Sequence, residues 1–472
     1  MAPSPVSLRP YQVAAEAEIR SRFRDGHRRI LYVLPTGGGK TTVAASIIRQ
    51  AAARGSRVAF LAHRKELVDQ CSARLDLLGV DHGVVMAGHA RVRPDAPVQV
   101  GSIQTVARRG LPAPPHIIFV DECHRVQGQQ YLDALAAYPD ALVIGITATP
   151  VRGDGRGLSP PFGTMVVGPS LSDLTADGYL VPARTYARPR PNLSGVRTTG
   201  GDYQTDELQA AMNKPEIVGD VVREWRRYAD GRTTVVFAVG IEHSVALRDA
   251  FRADGVPAEH LDGSTPRDER ERLLADLAAG RITVLTNCGV LSEGWDCPTV
   301  SCVSIVRPTK STGLYLQMAG RALRPAPGKA DCVILDHGGC VYRHGLVAAD
   351  RRWELEPSDE RRRAERRVAD VADNARVCPR CDRAYAAEAT ECGCGYKFSR
   401  RRTAPREVAG DLVAVTEARV VTTDEKRARF RAYLHQQRTG RRKDGSPFAP
   451  NYAVARFMAI FGHPPRREWF HD

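Results

Sequence analysis

The stretch Pro35-Thr36-Gly37-Gly38-Gly39-Lys40-Thr41 stands between an apolar run over residues 29–34 and a helically spaced run over 42–53 that stops at Gly55. The glycines therefore fall at a strand-to-helix turn, which is the context a phosphate loop requires. Glycines let successive backbone N–H groups converge on phosphate oxygens at a helix N-terminus, where the helix dipole also favours negative charge. Lys40 is then expected to reach the β- and γ-phosphates of ATP, with Pro35, Thr36, Gly37, Gly38 and Gly39 lining the loop and the Thr41 hydroxyl holding Mg²⁺. Leu34 occupies the place of the first glycine in the general pattern GxxxxGK[ST], so the loop departs from that pattern at one position.

A second apolar run, 117–120, ends in Asp121-Glu122-Cys123-His124. A strand ending there would bring two carboxylates beside the loop. Asp121 is expected to complete the Mg²⁺ shell and Glu122 to orient and deprotonate the attacking water, because phosphoryl transfer depends on positioning more than on covalent chemistry. Cys123 reads as a small buried residue rather than a redox group.

The chain has 472 residues, 43% of them hydrophobic, enough for two or three domains. No run approaches the roughly 20 apolar residues of a membrane-spanning helix, and the opening MAPSPVSLRPYQ lacks a signal-peptide apolar region, so no membrane partner and a cytoplasmic, nucleoid-associated location are expected. The 11 cysteines, mostly scattered singly, suit reduced thiols. The formal charge of +14 is uneven: residues 351–472 carry 27 Lys+Arg against 18 Asp+Glu. A basic excess gathered in an appendage points to a polyanion partner, although the Arg/Glu-rich stretch 359–370 reads equally as a solvated helix face.

From Arg57 onward, strand-like runs alternate with helical ones, as in parallel sheets with crossover helices. The alternation divides into a lobe over 1–165, a Gly/Pro-rich connection over 166–186 and a second lobe over 187–346, with strand-like segments at 234–239, 282–286, 300–306 and 332–335. The second lobe has no phosphate loop of its own, which suggests ATP held between two halves.

The remaining motifs follow the order seen in superfamily-2 helicases of the DEAD/DEAH kind, which this chain resembles over residues 8–325. The resemblance implies two tandem RecA-like α/β lobes. Leu8-Arg9-Pro10-Tyr11-Gln12 resembles the Q-type motif, in which Gln12 would read the adenine edge. The segment Phe60-Leu61-Ala62-His63-Arg64-Lys65-Glu66-Leu67 is similar to motif Ia and Gly101-Ser102-Ile103-Gln104-Thr105 to the next strand-contacting motif. His63, Arg64, Gln104 and Thr105 would line a nucleic-acid track. Thr147-Ala148-Thr149-Pro150 resembles motif III, where Thr147 and Thr149 would couple hydrolysis to lobe movement. Residues 235–244 resemble motif IV and 285–298 motif V, in which Gly294 and Asp296 would approach the nucleotide. The stretch Gln317-Met318-Ala319-Gly320-Arg321-Ala322-Leu323-Arg324-Pro325 is similar to motif VI. Its Arg321 and Arg324 would reach the γ-phosphate from the opposite lobe, with Gln317 as a polar partner near that phosphate and His124. Such a cross-cleft arginine can supply about 10³ to 10⁵ in rate and makes catalysis depend on closure.

Beyond the lobes, Cys378, Cys381, Cys392 and Cys394 read as a tetrahedral Zn²⁺ site within a module over 347–400, a CxxC redox pair being the alternative. The tail over 401–472 begins in Arg401-Arg402 and interleaves Arg and Lys with Tyr, Phe and Trp. It suits phosphate contacts and base stacking, or a small helical unit with an aromatic core. The order of lobes, four-cysteine module and basic tail resembles bacterial RadD-type DNA-repair helicases and their phage relatives, as does the passage from Val167-Gly168-Pro169-Ser170 to Gly178-Tyr179-Leu180-Val181-Pro182. That resemblance implies ATP-dependent action on single-stranded or branched DNA in repair or recombination, with a repair or single-strand-binding protein as partner. An RNA helicase, a restriction-system motor and an ATP-switched DNA-binding adaptor remain alternatives.

Overall fold

Strand β1 (Arg29–Val33) shows how the first lobe is built: Ile30 and Tyr32 enter one hydrophobic core, Leu31 and Val33 another on the opposite face. A strand covered on both faces reads as a continuous apolar run, the signature of a parallel sheet between helical layers. The computed structural model describes residues 7–125, 128–152, 157–187, 191, 193, 195–292 and 294–356, then 375–377, 384–386, 390–391, 395–398, 413–415, 423–439, 448, 452–461, 465 and 467–470.

In the first lobe β1 is joined by β2 (Val58–Ala62), β3 (His82–Val85), β4 (Val98–Ser102), β5 (Ile117–Asp121), β6 (Leu142–Thr147) and β7 (Thr164–Val167). They pair in the order β3-β4-β2-β5-β6-β1-β7, every pair parallel. Crossovers are made by α2 (Lys40–Ala52), α3 (Lys65–Leu77), α4 (Ile103–Arg109) and α5 (Gln129–Ala136), after an opening helix α1 (Pro10–Arg24). Pro10 sits at the first turn of α1, where its missing N–H costs no helical bond.

Helix α6 (Leu171–Ala176) links this sheet to the next. The second lobe holds β8 (Ala183–Ala187), a short antiparallel ribbon β9 (Thr198–Thr199) and β10 (Asp202–Tyr203), then α7 (Thr205–Met212), α8 (Pro215–Ala229), β11 (Thr234–Phe237), α9 (Ile241–Ala253), β12 (Ala258–Leu261), α10 (Arg267–Ala278), β13 (Val284–Asn287), β14 (Cys302–Ile305), α11 (Thr312–Ala319), β15 (Cys332–Asp336) and α12 (Cys340–His344). The parallel order is β12-β13-β11-β14-β15-β8. Helix α8 buries Val218, Val221, Val222, Trp225 and Ala229, a helical stripe facing the sheet, and Trp225 donates from its indole to the Thr234 hydroxyl at 2.7 Å. Each segment expected as a strand in this lobe holds one, and the second sheet takes in β8, from within the stretch expected to connect the lobes.

Three short strands, β16 (Ala375–Val377), β17 (Ala384–Ala386) and β18 (Val413–Val415), extend this sheet, β18 pairing antiparallel to β8. Cys378, Cys381, Cys392 and Cys394 lie outside the described residues, as does the stretch 359–370. Among the described residues no cluster of His, Cys, Asp and Glu is placed to hold a metal, and no helix is long and apolar enough to cross a membrane. In the tail, α13 (Thr423–Thr439) and α14 (Tyr452–Phe461) pack around Phe430, Ala453, Phe457 and Trp469. These aromatics turn inward, with ring centroids of Phe430 and Phe457 5.5 Å apart edge to face.

Candidate active site between the lobes

All first-lobe positions singled out after a strand lie at the carboxyl edge of one parallel sheet, the usual ligand edge of such folds. The phosphate-loop residues follow β1, His63 and Arg64 follow β2, Gln104 and Thr105 follow β4, Asp121 and Glu122 close β5, and Thr147 and Thr149 close β6. The strand order puts the β4 and β2 ends on one side and the β5, β6 and β1 ends on the other. The expected nucleic-acid positions and the expected ATP positions are therefore neighbours along one edge.

Within the loop, Gly37 and Gly39 take left-handed φ values of 84° and 87°, which side-chain-bearing residues rarely adopt, and α2 starts at Lys40. The Gly38 carbonyl accepts from the Tyr11 hydroxyl at 2.7 Å and from Gln12 Nε2 at 3.1 Å, while Gln12 Oε1 accepts from the Arg9 backbone N–H at 2.9 Å. Burial pushes the Tyr11 phenol above its ordinary pKa, against the lowering pull of Arg9, so Tyr11 stays a neutral donor. Gln12 thus braces the loop from α1. Leu34 is fully buried, and a Cβ added to Gly168 would come within 2.7 Å of its Cδ1. The leucine at the irregular loop position is seated in a groove that Gly168, just after β7, leaves open.

At the end of β5, Asp121 and Glu122 are both buried. Asp121 Oδ1 accepts the Glu122 N–H at 2.9 Å, and Glu122 adopts a φ of 46°, turning the chain sharply out of the strand. His124 Nδ1 lies 3.3 Å from Glu122 Oε2. Cys123 is fully buried in the core with Leu31 and Val33, and burial raises its thiol well above the ordinary range. Its environment is that of a packing residue.

Helix α11 of the second lobe closes over this edge. Thr147 Oγ1 donates to the Thr149 carbonyl at 3.0 Å and accepts from the Thr149 N–H at 3.2 Å, forming a tight turn. A Cβ on Gly313, in α11, would lie 2.9 Å from Thr149 Oγ1, and one on Gly320, at the end of α11, 2.8 Å from the Thr36 Cβ. Gln317 is buried between these two glycines on the same helix. A small cavity beside this contact is lined by Pro35, Thr36, Ser170, Leu316, Arg351 and Trp353, among others.

The motif VI arginines are engaged within their own lobe. Arg321 donates to the carbonyls of Trp295 and of Ser292, the latter at 2.6 Å, and Arg324 pairs with Asp296. The stem of Arg324 nevertheless passes the phosphate loop, its Cγ 3.6 Å from where a Cβ on Gly37 would stand. Gly294 lies against α3 of the first lobe, and its carbonyl accepts from Gln70 at 2.7 Å. Arg64 also bridges the lobes, donating to the carbonyls of Val290 at 3.2 Å and Gly289 at 3.3 Å. Gln104 Nε2 donates to the His63 carbonyl at 3.0 Å, tying the β4 and β2 ends together, and Ser102 caps α4, its Oγ accepting the Thr105 N–H at 3.3 Å.

Two features escape a reading by motif. Tyr179 stands edge to face with Tyr11 at 5.2 Å, and the Arg9 guanidinium lies 4.6 Å from its ring centroid, so the interlobe passage completes the wall beside Gln12. An aromatic next to a glycine in a linker is the one local signal there. The other is a buried lysine, Lys426, far along the tail, for which no local pattern exists.

Two family models match the chain: one described as Type III restriction enzyme, res subunit, over residues 5–152, and one described as Helicase conserved C-terminal domain, over 213–326. A 51.5 kDa protein of a Lactococcus phage is 31% identical over 77% of this chain and 77% of its own length. A Saccharomyces cerevisiae protein named as an ATP-dependent helicase, IRC3, is 30% identical over 72% of this chain, and the match spans only 53% of that protein. Among solved structures, a fragment titled as an HsdR subunit of a type I restriction enzyme from Vibrio vulnificus aligns with TM-score 0.57 at 22% identity, over 71% of this chain and 65% of that one. That likeness bears on the two-lobed fold.

Proposed function

The chain belongs to the superfamily-2 helicases, ATP-hydrolysing enzymes, and from that premise we propose that it is a DNA-stimulated ATPase that translocates along or remodels single-stranded or branched DNA in repair or recombination. The observation that carries the reading is the gathering of five strand ends along one sheet edge, two of which, at Thr36 and Thr149, meet α11 of the other lobe across the cleft.

In this proposal ATP sits with its base beside Gln12 and its phosphates on the N–H groups of residues 36–40. Lys40 binds the terminal phosphates. Thr41 and Asp121 offer hard oxygen donors that would hold Mg²⁺, whose charge would offset that of the phosphates. Glu122 orients the attacking water and takes its proton, and His124, 3.3 Å from it, fixes the carboxylate. The γ-phosphate draws Arg321 and Arg324 away from the carbonyls of Ser292 and Trp295 and from Asp296, so hydrolysis and the motif V loop are linked through the same two guanidinium groups. Because Gly294 and residues 289–290 touch α3 and Arg64, that loop also adjoins the DNA positions His63, Arg64, Gln104 and Thr105. The RadD-like arrangement extends to the four cysteines 378, 381, 392 and 394, whose thiolates would hold a structural Zn²⁺.

The test is ATP turnover by the purified chain with no polymer, single-stranded DNA, forked DNA or single-stranded RNA, with Lys40→Ala as control. Stimulation by DNA alone is expected. Stimulation by RNA moves the reading to RNA remodelling, and ATP-dependent DNA binding without turnover identifies a switched adaptor. The restriction-motor reading is favoured by the first family model's description and by the HsdR-like fold. It predicts no turnover with any polymer until a missing partner is supplied.

A further inference from the structure

After the second lobe is complete, the chain returns twice to the back of the cleft. The first return is the strap over residues 346–356. Arg351 donates to the carbonyls of His344, Leu346, Val347 and Ala349 at 2.9–3.0 Å, which makes the strap rigid. Trp353 packs against cores of both lobes, and the Leu355 carbonyl accepts the N–H groups of Leu158 at 3.0 Å and Ser159 at 3.3 Å. The strap therefore spans from the second lobe to the first.

The second return is α13. Lys426 is 1% exposed, and its ammonium contacts Asp173 Oδ1 at 3.0 Å, Ser172 Oγ at 3.3 Å and Asp350 Oδ2 at 3.5 Å. Asp173 and Ser172 belong to the interlobe helix α6, and Asp350 to the strap. Ser172 also donates to Asp350 at 2.8 Å, and Thr423 reaches Asp177 just past the far end of α6 at 3.3 Å. Helix α6 runs on into Leu180 and Val181. Leu180 Cδ2 stands 2.9 Å from where a Cβ on Gly37 would be, and the Val181 N–H donates to the Leu323 carbonyl at 2.9 Å, between Arg321 and Arg324. The segment that α13 grips thus touches both the phosphate loop and motif VI.

We propose that Lys426 is a positioning residue for ATP hydrolysis: by joining Asp173 to Asp350 it locks the interlobe helix to the strap and holds the two halves of the cleft in register. The inference rests on the proposed seating of ATP between the phosphate loop and motif VI. A buried ammonium is tolerated only when paired and hydrogen-bonded, and here its partners come from two elements that the lobes must carry together. Without it, two carboxylates face each other and drive α6 and the strap apart. Helix α13 thereby sets how readily the cleft closes, from outside the residues that would seat ATP.

The full chain carrying Lys426→Met is compared with wild type for polymer-stimulated ATP turnover and for ADP affinity, the latter reporting the phosphate-loop half alone. The expected result is a fall in kcat of about tenfold with ADP affinity within about twofold, because closure and not binding is impaired. Asp350→Asn, at the more exposed edge of the cluster, should give a smaller loss in the same sense, and Lys426→Arg should restore part of it. Unchanged kcat in both Lys426→Met and Asp350→Asn overturns the proposal. So does a loss of kcat in proportion to lost ADP-binding sites, which would mark a purely structural contact. In the same assays Lys40→Ala tests the underlying seat: if it keeps wild-type turnover, the placement of ATP is at fault rather than the role of Lys426.

Discussion

Gly320 of the second lobe and Thr36 of the phosphate loop stand so close across the cleft that a Cβ on the glycine would lie 2.8 Å from the Thr36 Cβ. Gly320 itself has right-handed helical angles, so an alanine there has no left-handed strain, but its Cβ would stand 2.8 Å from both the Leu316 carbonyl oxygen and the Thr36 Cβ. Gly320→Ala is expected to lower kcat for ATP by about tenfold or more through imperfect closure. Steady-state turnover beside a calorimetric melt checks this, the melt reading separately the local shift that the Leu316 carbonyl contact requires. Unaltered turnover would mean that the lobes do not approach this closely in the working enzyme.

Arg321 bridges two carbonyls with one planar guanidinium. Arg321→Ala should lower turnover by about 10³ while leaving ATP binding within a few-fold. Arg321→Lys keeps the charge but lacks the planar fork that would take two phosphate oxygens at once, so most of the loss should persist. Single-turnover hydrolysis with a parallel nucleotide titration separates the two effects.

Cys123 is enclosed against Gly145, whose added Cβ would stand 3.0 Å from the sulfur, and its raised thiol pKa removes it from nucleophilic chemistry. Cys123→Ala should preserve turnover to within about twofold, and a thiol reagent should label the native chain elsewhere. Mass spectrometry of labelled peptides decides it. Rapid native labelling at Cys123 would contradict the packing role.

Elemental analysis of the purified full chain should find one zinc per chain, and Cys378→Ser should lower it. Zinc absent from the wild-type protein dismisses the four-cysteine module.

His243 is buried, and burial pulls its pKa from 6.5 to about 4. The folded state keeps it neutral while the unfolded chain protonates first, so its contribution is full above about pH 6.5 and is lost progressively as pH falls towards 4. At pH 5 this linkage amounts to about 2 kcal/mol. His243→Gln, which retains an acceptor for the Val239 N–H, should therefore lose less stability between pH 7.5 and 5 than wild type does. Thermal melts across that range read the difference. An identical pH slope would refute the linkage.

How far this architecture can be read from residues alone depends on the range of the interactions that fix it. The phosphate loop and the Asp121-Glu122 pair are legible because each is a local strand-end pattern, and the alternation of Ile30 and Leu31 between two cores follows from the pleat. Leu34 looked irregular only because its counterpart, Gly168, lies more than a hundred residues away. Arg321 and Arg324 could be placed on motif VI from their spacing, but their present hydrogen bonds depend on the path of residues 292–296. From the sequence Lys426 is one basic residue among many in a tail that suits phosphate contacts or a small helical unit. Its burial is decided by Asp173 and Asp350, one of them some 250 positions earlier, and charge patterning within a window contains no trace of such a partner.

The hydrogen bonds from Leu158 and Ser159 to the Leu355 carbonyl impose an order on biosynthesis. Chains emerge from the ribosome N-terminal end first at about 5–20 residues per second, so the first lobe waits about 10–40 s for the strap that completes its flank. During that interval the seat of Trp353 stays uncovered, with the second lobe still being made. Any attempt to isolate the N-terminal half would preserve that unfinished state indefinitely, and the smallest first lobe with a finished flank must carry the chain through to residue 356.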